Sequence, residues 1–141
     1  MPVAILLSNT FANALLQHSG TAVIDQLGGG SLVMYAGTPP AGPNEALSGN
    51  TVLGTWTFLT AASWSAPGGG SVPLAFTATT ITAVATGIGT FFRFLSSGAA
   101  ALVQGTVAQG SGGDWNLNNT QVTLGDNLTV TGSPTIAWTT T

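Results

Sequence analysis

Cysteine and lysine are both absent, and the titratable side chains reduce to Arg93, Asp25, Glu45, Asp114, Asp126 and His18. Without cysteine there is no disulfide framework, no Cys-ligated zinc site and no thiol nucleophile. One cation cannot displace counterions from a phosphate backbone, so nucleic acid is excluded as a partner. General acid–base chemistry draws on paired titratable groups, and scattered single ones offer few pairs. The chain therefore reads as a non-enzyme, with no cofactor and no small-molecule substrate. Charged residues make up 4% of the 141 residues, against about 25% in an ordinary soluble domain. Disorder does not account for this scarcity, because disordered chains join low hydrophobicity to high charge, and here the hydrophobic share is 44%.

Long hydrophobic runs are also scarce. Residues 1–7 are apolar but short and have no basic flank, which argues against a signal peptide. Residues 74–92 are interrupted by Thr and Gly, and Thr and β-branched residues at alternate positions suit sheet better than a membrane span. No membrane partner is expected.

What remains is a chain rich in Gly, Pro and Thr, whose length suits one domain. Residues 1–7 read as an extended N-terminal arm, and residues 8–141 as a single β-rich domain. A helix is expected at about residues 9–27, N-capped by Ser8 or Asn9, with Phe11, Leu15, His18 and Ala22 on one face. Ser19-Gly20 weakens its middle, which allows a second short helix capped by Thr21, and Gly28–Gly30 ends it.

From residue 31 the pattern is β. Strands are expected at 31–36, 51–60, 71–77, 80–85, 89–95, 101–108, 121–124, 128–130 and 135–138, separated by Gly-, Ser- and Pro-rich turns. Alternation places Trp56 and Phe58 on one face and Thr55 and Thr57 on the other. It likewise sets Phe92 and Phe94 against Phe91, Arg93 and Leu95. The fold class expected is mainly β: an antiparallel β-sandwich or jelly-roll-like barrel with an N-terminal helix, α+β by a strict count.

Candidate chemistry is thin. Asp114-Trp115-Asn116-Leu117-Asn118 begins like a calcium loop, but the pattern then meets Asn119 and Gly125 where it needs Gly and Glu, so a polar turn is the better reading and no metal is expected. His18 and Asp25 share a helical face, with no serine placed to complete a triad. The glycine runs lack the following Lys-Ser/Thr of a phosphate cradle. Arg93, a lone cation among aromatics, can snorkel along apolar stems, stack on a ring or serve an intersubunit ion pair. The tryptophans at 56, 64, 115 and 138 read as core or interface anchors.

Four stretches carry a resemblance: SLVMYAGTPPAGPNEALSGNTVLGTWTF after the helix and glycine break, GTFFRFLSSGAAALVQGTV, GGDWNLNNTQVTLGDNLTVT and the terminal TIAW. In order they span nearly the whole chain, which resembles small structural proteins of tailed bacteriophages. The resemblance implies a virion component, most nearly a capsid decoration (cement) protein that binds the major capsid protein and stabilises the head. It further implies a homo-oligomer, typically a trimer, on the capsid exterior, assembled in the bacterial cytoplasm. A tail, head–tail junction or fibre component, including a host-surface carbohydrate-binding module, is the alternative.

The near absence of charge fits such a role, because weakly charged surfaces associate readily. The expected mechanism is addition of the arm, or of a free strand edge, to a neighbour's sheet. On that basis Val3, Ile5, Leu7 and Arg93 are the candidate interface residues.

Overall fold

The computed structural model describes residues 6–8, 21–66, 71–130 and 134–137. Its elements run β1 (Leu6–Leu7), α1 (Thr21–Leu27), β2 (Ser31–Ala36), β3 (Thr51–Thr57), a single 3₁₀ turn (Ala61–Ser63), β4 (Ser71–Pro73), β5 (Thr80–Thr82), β6 (Gly87–Leu95), β7 (Ala101–Gln109), β8 (Trp115–Leu117), β9 (Gln121–Val122), β10 (Asn127–Thr129) and β11 (Thr135–Ala137).

The chain is mainly β, as its Thr-rich alternation requires. The finer expectation of a two-sheet sandwich or jelly roll does not appear as such. The strands instead form one curled, mixed half-barrel in the order β1-β7-β6-β2-β3, with β8 on β7 and β9 on β6. Two short ribbons, β5 with β10 and β4 with β11, complete the described strands. The curl has a local cause. Beyond the Phe91–Thr106 pair, β6 and β7 part company: β6 takes β9 at Gly87–Ile88, while β7 takes β8 at Val107–Gln109. Register shifts on β2, β3, β6 and β7 add to the bending.

The β7–β8 pair is parallel, although only residues 110–114 separate the two strands. A parallel return normally takes a crossover of a dozen or more residues. Here Gly110 and Gly112 adopt φ of +74° and +93°, a left-handed backbone that turns the chain back within a few residues. Gly110 N–H donates to the Leu117 carbonyl at 3.0 Å and closes the loop. The segment that begins like a calcium loop is therefore a strand, and that strand is absent from the sequence-based expectation.

Of the helix expected at 9–27, the described part is Thr21–Leu27, and residues 9–20 lie outside the described residues. Val23, Ile24 and Leu27 are buried, while Asp25 is exposed. Gly28 N–H donates to the Ile24 carbonyl and ends the helix. A Cβ at Gly28 would lie 2.6 Å from the backbone nitrogen of Ala61, so the helix end packs directly on the 3₁₀ turn.

The main core lies on one face of the sheet: Leu32, Met34, Leu53, Trp56, Phe58, Phe92, Phe94, Leu102 and Val103 face α1, β8 and the ribbons. Its aromatics meet edge-on, Trp56 with Trp115 at 4.9 Å and 84°, and Phe58 with Phe94 at 5.5 Å and 84°, the arrangement favoured by ring quadrupoles. Residues 74–92, the one stretch apolar enough to suggest a membrane span, supply part of β6, β5 and turns. Among the described residues no helix is long and apolar enough to cross a membrane.

Candidate functional site: a buried arginine beneath the 37–50 loop

Alternation along FFRFL sends Phe92 and Phe94 into the main core and Phe91, Arg93 and Leu95 to the opposite face of the sheet. There Val33, Tyr35, Phe91 and Leu95 form a second, smaller apolar cluster, with Tyr35 stacked on Phe91 at 5.0 Å. Because β2 and β6 are central and covered on both faces, SLVMYA is a nearly continuous apolar run. The cover on this second face is the loop 37–50.

That loop carries Pro39, Pro40 and Pro43 and contains no regular element, so the rest of the chain must order it. At its base, Asn50 Nδ2 donates to the Thr38 carbonyl at 2.9 Å, and Ser48 N–H donates to Asn50 Oδ1 at 3.1 Å. Thr90 Oγ1 donates to the Gly37 carbonyl at 2.6 Å. Across its middle the hold is Arg93. This side chain is only 4% exposed. Its Nη2 donates to the carbonyls of Gly42 at 3.0 Å and Glu45 at 2.8 Å, and its Nε donates to Gln104 Oε1 at 2.9 Å. Gln104 Nε2 in turn donates to the Pro40 carbonyl at 2.8 Å.

Arg93 and Gln104 are register partners on β6 and β7, so two neighbouring strands each send one polar side chain into the same loop. Glu45 contributes its backbone carbonyl to Arg93, not its carboxylate. A buried guanidinium served by carbonyl dipoles is tolerable because it is planar, weakly hydrated and able to bond in several directions. Burial draws the Arg93 pKa below its usual value and pushes that of Tyr35 above its own, the latter shift opposed by the nearby guanidinium. The chemistry available to this cluster is holding, not proton transfer.

Of the residues singled out in the sequence, Val3 and Ile5 lie outside the described residues, as do His18 and Trp138. Leu7 lies in β1, whose backbone pairs with β7 of the same chain opposite Val103. Arg93, whose sequence setting allows snorkelling, ring stacking or an intersubunit ion pair, is enclosed within its own chain. The reason is that the loop places three carbonyls over it and Gln104. Asp114, the supposed first calcium ligand, accepts from Thr106 N–H and Oγ1, both at 2.8 Å. Asp126 accepts from Thr123 N–H at 2.8 Å. Trp56, Trp64 and Trp115 are all buried. Among the described residues no three His, Asp or Glu side chains gather as a metal site would require.

Sequence reasoning missed Gln104 and the carbonyls of Pro40 and Gly42. The only signal for Gln104 was a lone amide in the apolar run ALVQGTV, and nothing local paired it with Arg93. It also missed an apolar pole. Val84, Ile88 and Leu124 are exposed at 61%, 59% and 65%, and their segments are tied together. Gly125 N–H donates to the Ala83 carbonyl at 3.0 Å, Leu124 N–H donates to Thr86 Oγ1 at 3.0 Å, and Ile88 pairs with Gln121. No protein-family model matches this chain, and neither a curated protein nor a solved structure is significantly similar to it.

Proposed function

We propose that this chain is a non-enzymatic structural protein of a tailed-bacteriophage virion, a decoration (cement) protein that binds the major capsid lattice from outside and stabilises the head. The observation that carries this reading is the apolar pole of Val84, Ile88 and Leu124 on a surface from which the only arginine is withdrawn. Large apolar side chains left exposed on neighbouring, hydrogen-bonded segments are candidates for an association surface. Burying these apolar side chains against a partner carries no desolvation cost of unpaired ions so long as the exposed Asp126, two residues from Leu124, keeps its solvent. Repetition of the contact, within a trimer and over a lattice, multiplies weak affinities through effective concentration.

In this reading the curled sheet with its ribbons is a variant of the sandwich or jelly-roll architecture. A host-carbohydrate module is the weaker alternative, because the described tryptophans are core residues and offer no ring for sugar stacking.

Cryo-electron microscopy of the parent particle tests the proposal. Copies arrayed on the outer capsid lattice, with residues 84, 88 and 124 at the contact, are expected. Confinement of the chain to the tail or its tip overturns capsid decoration. In a particle-binding assay Ile88→Asp should abolish occupancy while leaving the fold intact, since Ile88 is already solvent-exposed. Wild-type occupancy by that variant removes the pole from the interface.

A further inference from the structure

We propose that the outer edge of β7 at Leu102–Gln104 is a strand-acceptor site, and that its occupant in the assembled state is residues 6–8 of a second copy of this chain. The inference rests on the assembly role proposed above and names a surface and a partner for it. In the single chain the edge already holds residues 6–8: Leu6 pairs with Gln104, Leu7 with Val103, and Ser8 N–H donates to the Leu102 carbonyl. The groove thus accepts this segment in a defined register.

The hold on it is slight. β1 is two residues long, whereas β2 spans six and β6 and β7 nine each. The next cover on the same edge, β8, begins only opposite Val107. The acceptor side is firm by comparison, because Gln104 is anchored through Arg93 and Pro40. An identical segment from a second copy makes the same backbone bonds at the same edge, so exchange changes which chain donates and not what is bonded. The balance is then set by effective concentration. Dilute chains keep their own strand, and copies crowded on a lattice exchange it.

The absence of cysteine makes the test clean. Ser8 and Leu102 form a hydrogen-bonded pair, which leaves Leu7 and Val103 as a non-hydrogen-bonded pair. Their Cα atoms then lie about 4.5 Å apart, a separation that a disulfide spans. Full-length Leu7→Cys and Val103→Cys chains are refolded together at high concentration and oxidised. A covalent heterodimer joining the two variants is expected, several-fold above the yield when Thr55→Cys, exposed on β3, replaces Val103→Cys. A yield no higher than this control, with the double variant closing only within one chain at every concentration, overturns the exchange.

Should Val103→Cys fail to fold, light scattering on the wild-type chain and Ser8→Pro decides the same question. That substitution removes the N–H donated to Leu102. Exchange requires a concentration-dependent oligomer that the variant loses; equal masses refute it. The two proposals fail separately. A heterodimer-forming chain absent from the capsid leaves strand exchange standing without decoration, and a capsid-bound chain that cross-links only to itself leaves decoration standing without exchange.

Discussion

Arg93 and Gln104 face one another across the β6–β7 ladder, Nε donating to Oε1 at 2.9 Å, and together they tie the 37–50 loop to the sheet through the carbonyls of Pro40, Gly42 and Glu45. The only arginine of a charge-poor chain thus acts inside the molecule, and the charges exposed among the described residues are the carboxylates of Asp25, Glu45 and Asp126.

Arg93→Ala leaves two backbone carbonyls and the Gln104 amide without their donor in a buried setting. The expected loss is on the order of 3 kcal/mol, as for buried bonds to a charged group. Arg93→Lys should recover little, because one ammonium cannot place donors at both the Nε and Nη2 positions. Urea unfolding of both variants, with Gln104→Ala completing a double-mutant cycle, should show strong non-additivity. Additive effects would mean that the two side chains act independently.

Tyr35 is the only tyrosine, so its ionisation is read directly by ultraviolet absorbance. Burial raises its pKa above 10.0, the ordinary value of a tyrosine phenol. The native state therefore holds its phenolic proton at pH values where the unfolded chain has lost it. This contribution is complete below pH 10 and is lost as pH rises through the raised native value. The native phenol should titrate later than the urea-unfolded one, and Tyr35→Phe should reduce the alkaline loss of stability. The Arg93 shift has the opposite sign and belongs to still higher pH, where a guanidinium begins to lose its proton. Coincident native and unfolded titrations would refute the assignment.

Two glycines separate backbone from side-chain constraint. A Cβ at Gly30 would run into the Leu95 carbonyl oxygen, with the carbonyl carbon of Ser96 at 2.9 Å. These are backbone atoms that cannot retreat. At Gly89 the obstacle is Met34, with Sδ at 2.7 Å, the end of an adaptable side chain. Gly30→Ala should prevent stable folding, whereas Gly89→Ala should cost about 1–3 kcal/mol, as overpacking does. Expression yield and thermal melting decide, and similar behaviour in both variants would contradict the packing described.

Asp114 holds the tight β7–β8 return by accepting from both the N–H and the hydroxyl of Thr106. Asp114→Ala leaves the Thr106 N–H without this acceptor and should destabilise by about 1–3 kcal/mol. Amide hydrogen exchange should speed up first at Thr106 and along β8. An unchanged exchange pattern would show that the glycines alone maintain the turn.

Much of this is legible residue by residue. SLVMYA is β2 with the boundaries its flanking glycines imply, because a short apolar run between turn formers has few alternatives. The period-two split of Phe92 and Phe94 from Phe91 and Arg93 is the split seen between the two clusters. Alternation is a property of the extended backbone and needs no knowledge of neighbours. The glycine stop after Leu27 and the Pro-rich break after Ala36 are local in the same sense.

Other features depend on pairing between distant parts of the chain. The partnership of Arg93 with Gln104 exists because β6 and β7 align in one register, and a shift by one residue would turn Gln104 to the other face. The loop above them supplies carbonyls, which no side-chain pattern records. β8 looks like a polar turn in the sequence because its parallel return is made by backbone geometry at Gly110 and Gly112. The neighbouring of the segments that carry the exposed Val84, Ile88 and Leu124 likewise follows from hydrogen bonds between separate turns. The sequence by itself determined a charge-poor, mainly β chain with its apolar faces assigned, since those depend on composition and local period. Only the tertiary structure decided where its single arginine went, how its sheet curls and which apolar side chains remain exposed, since each depends on contacts between residues remote along the chain.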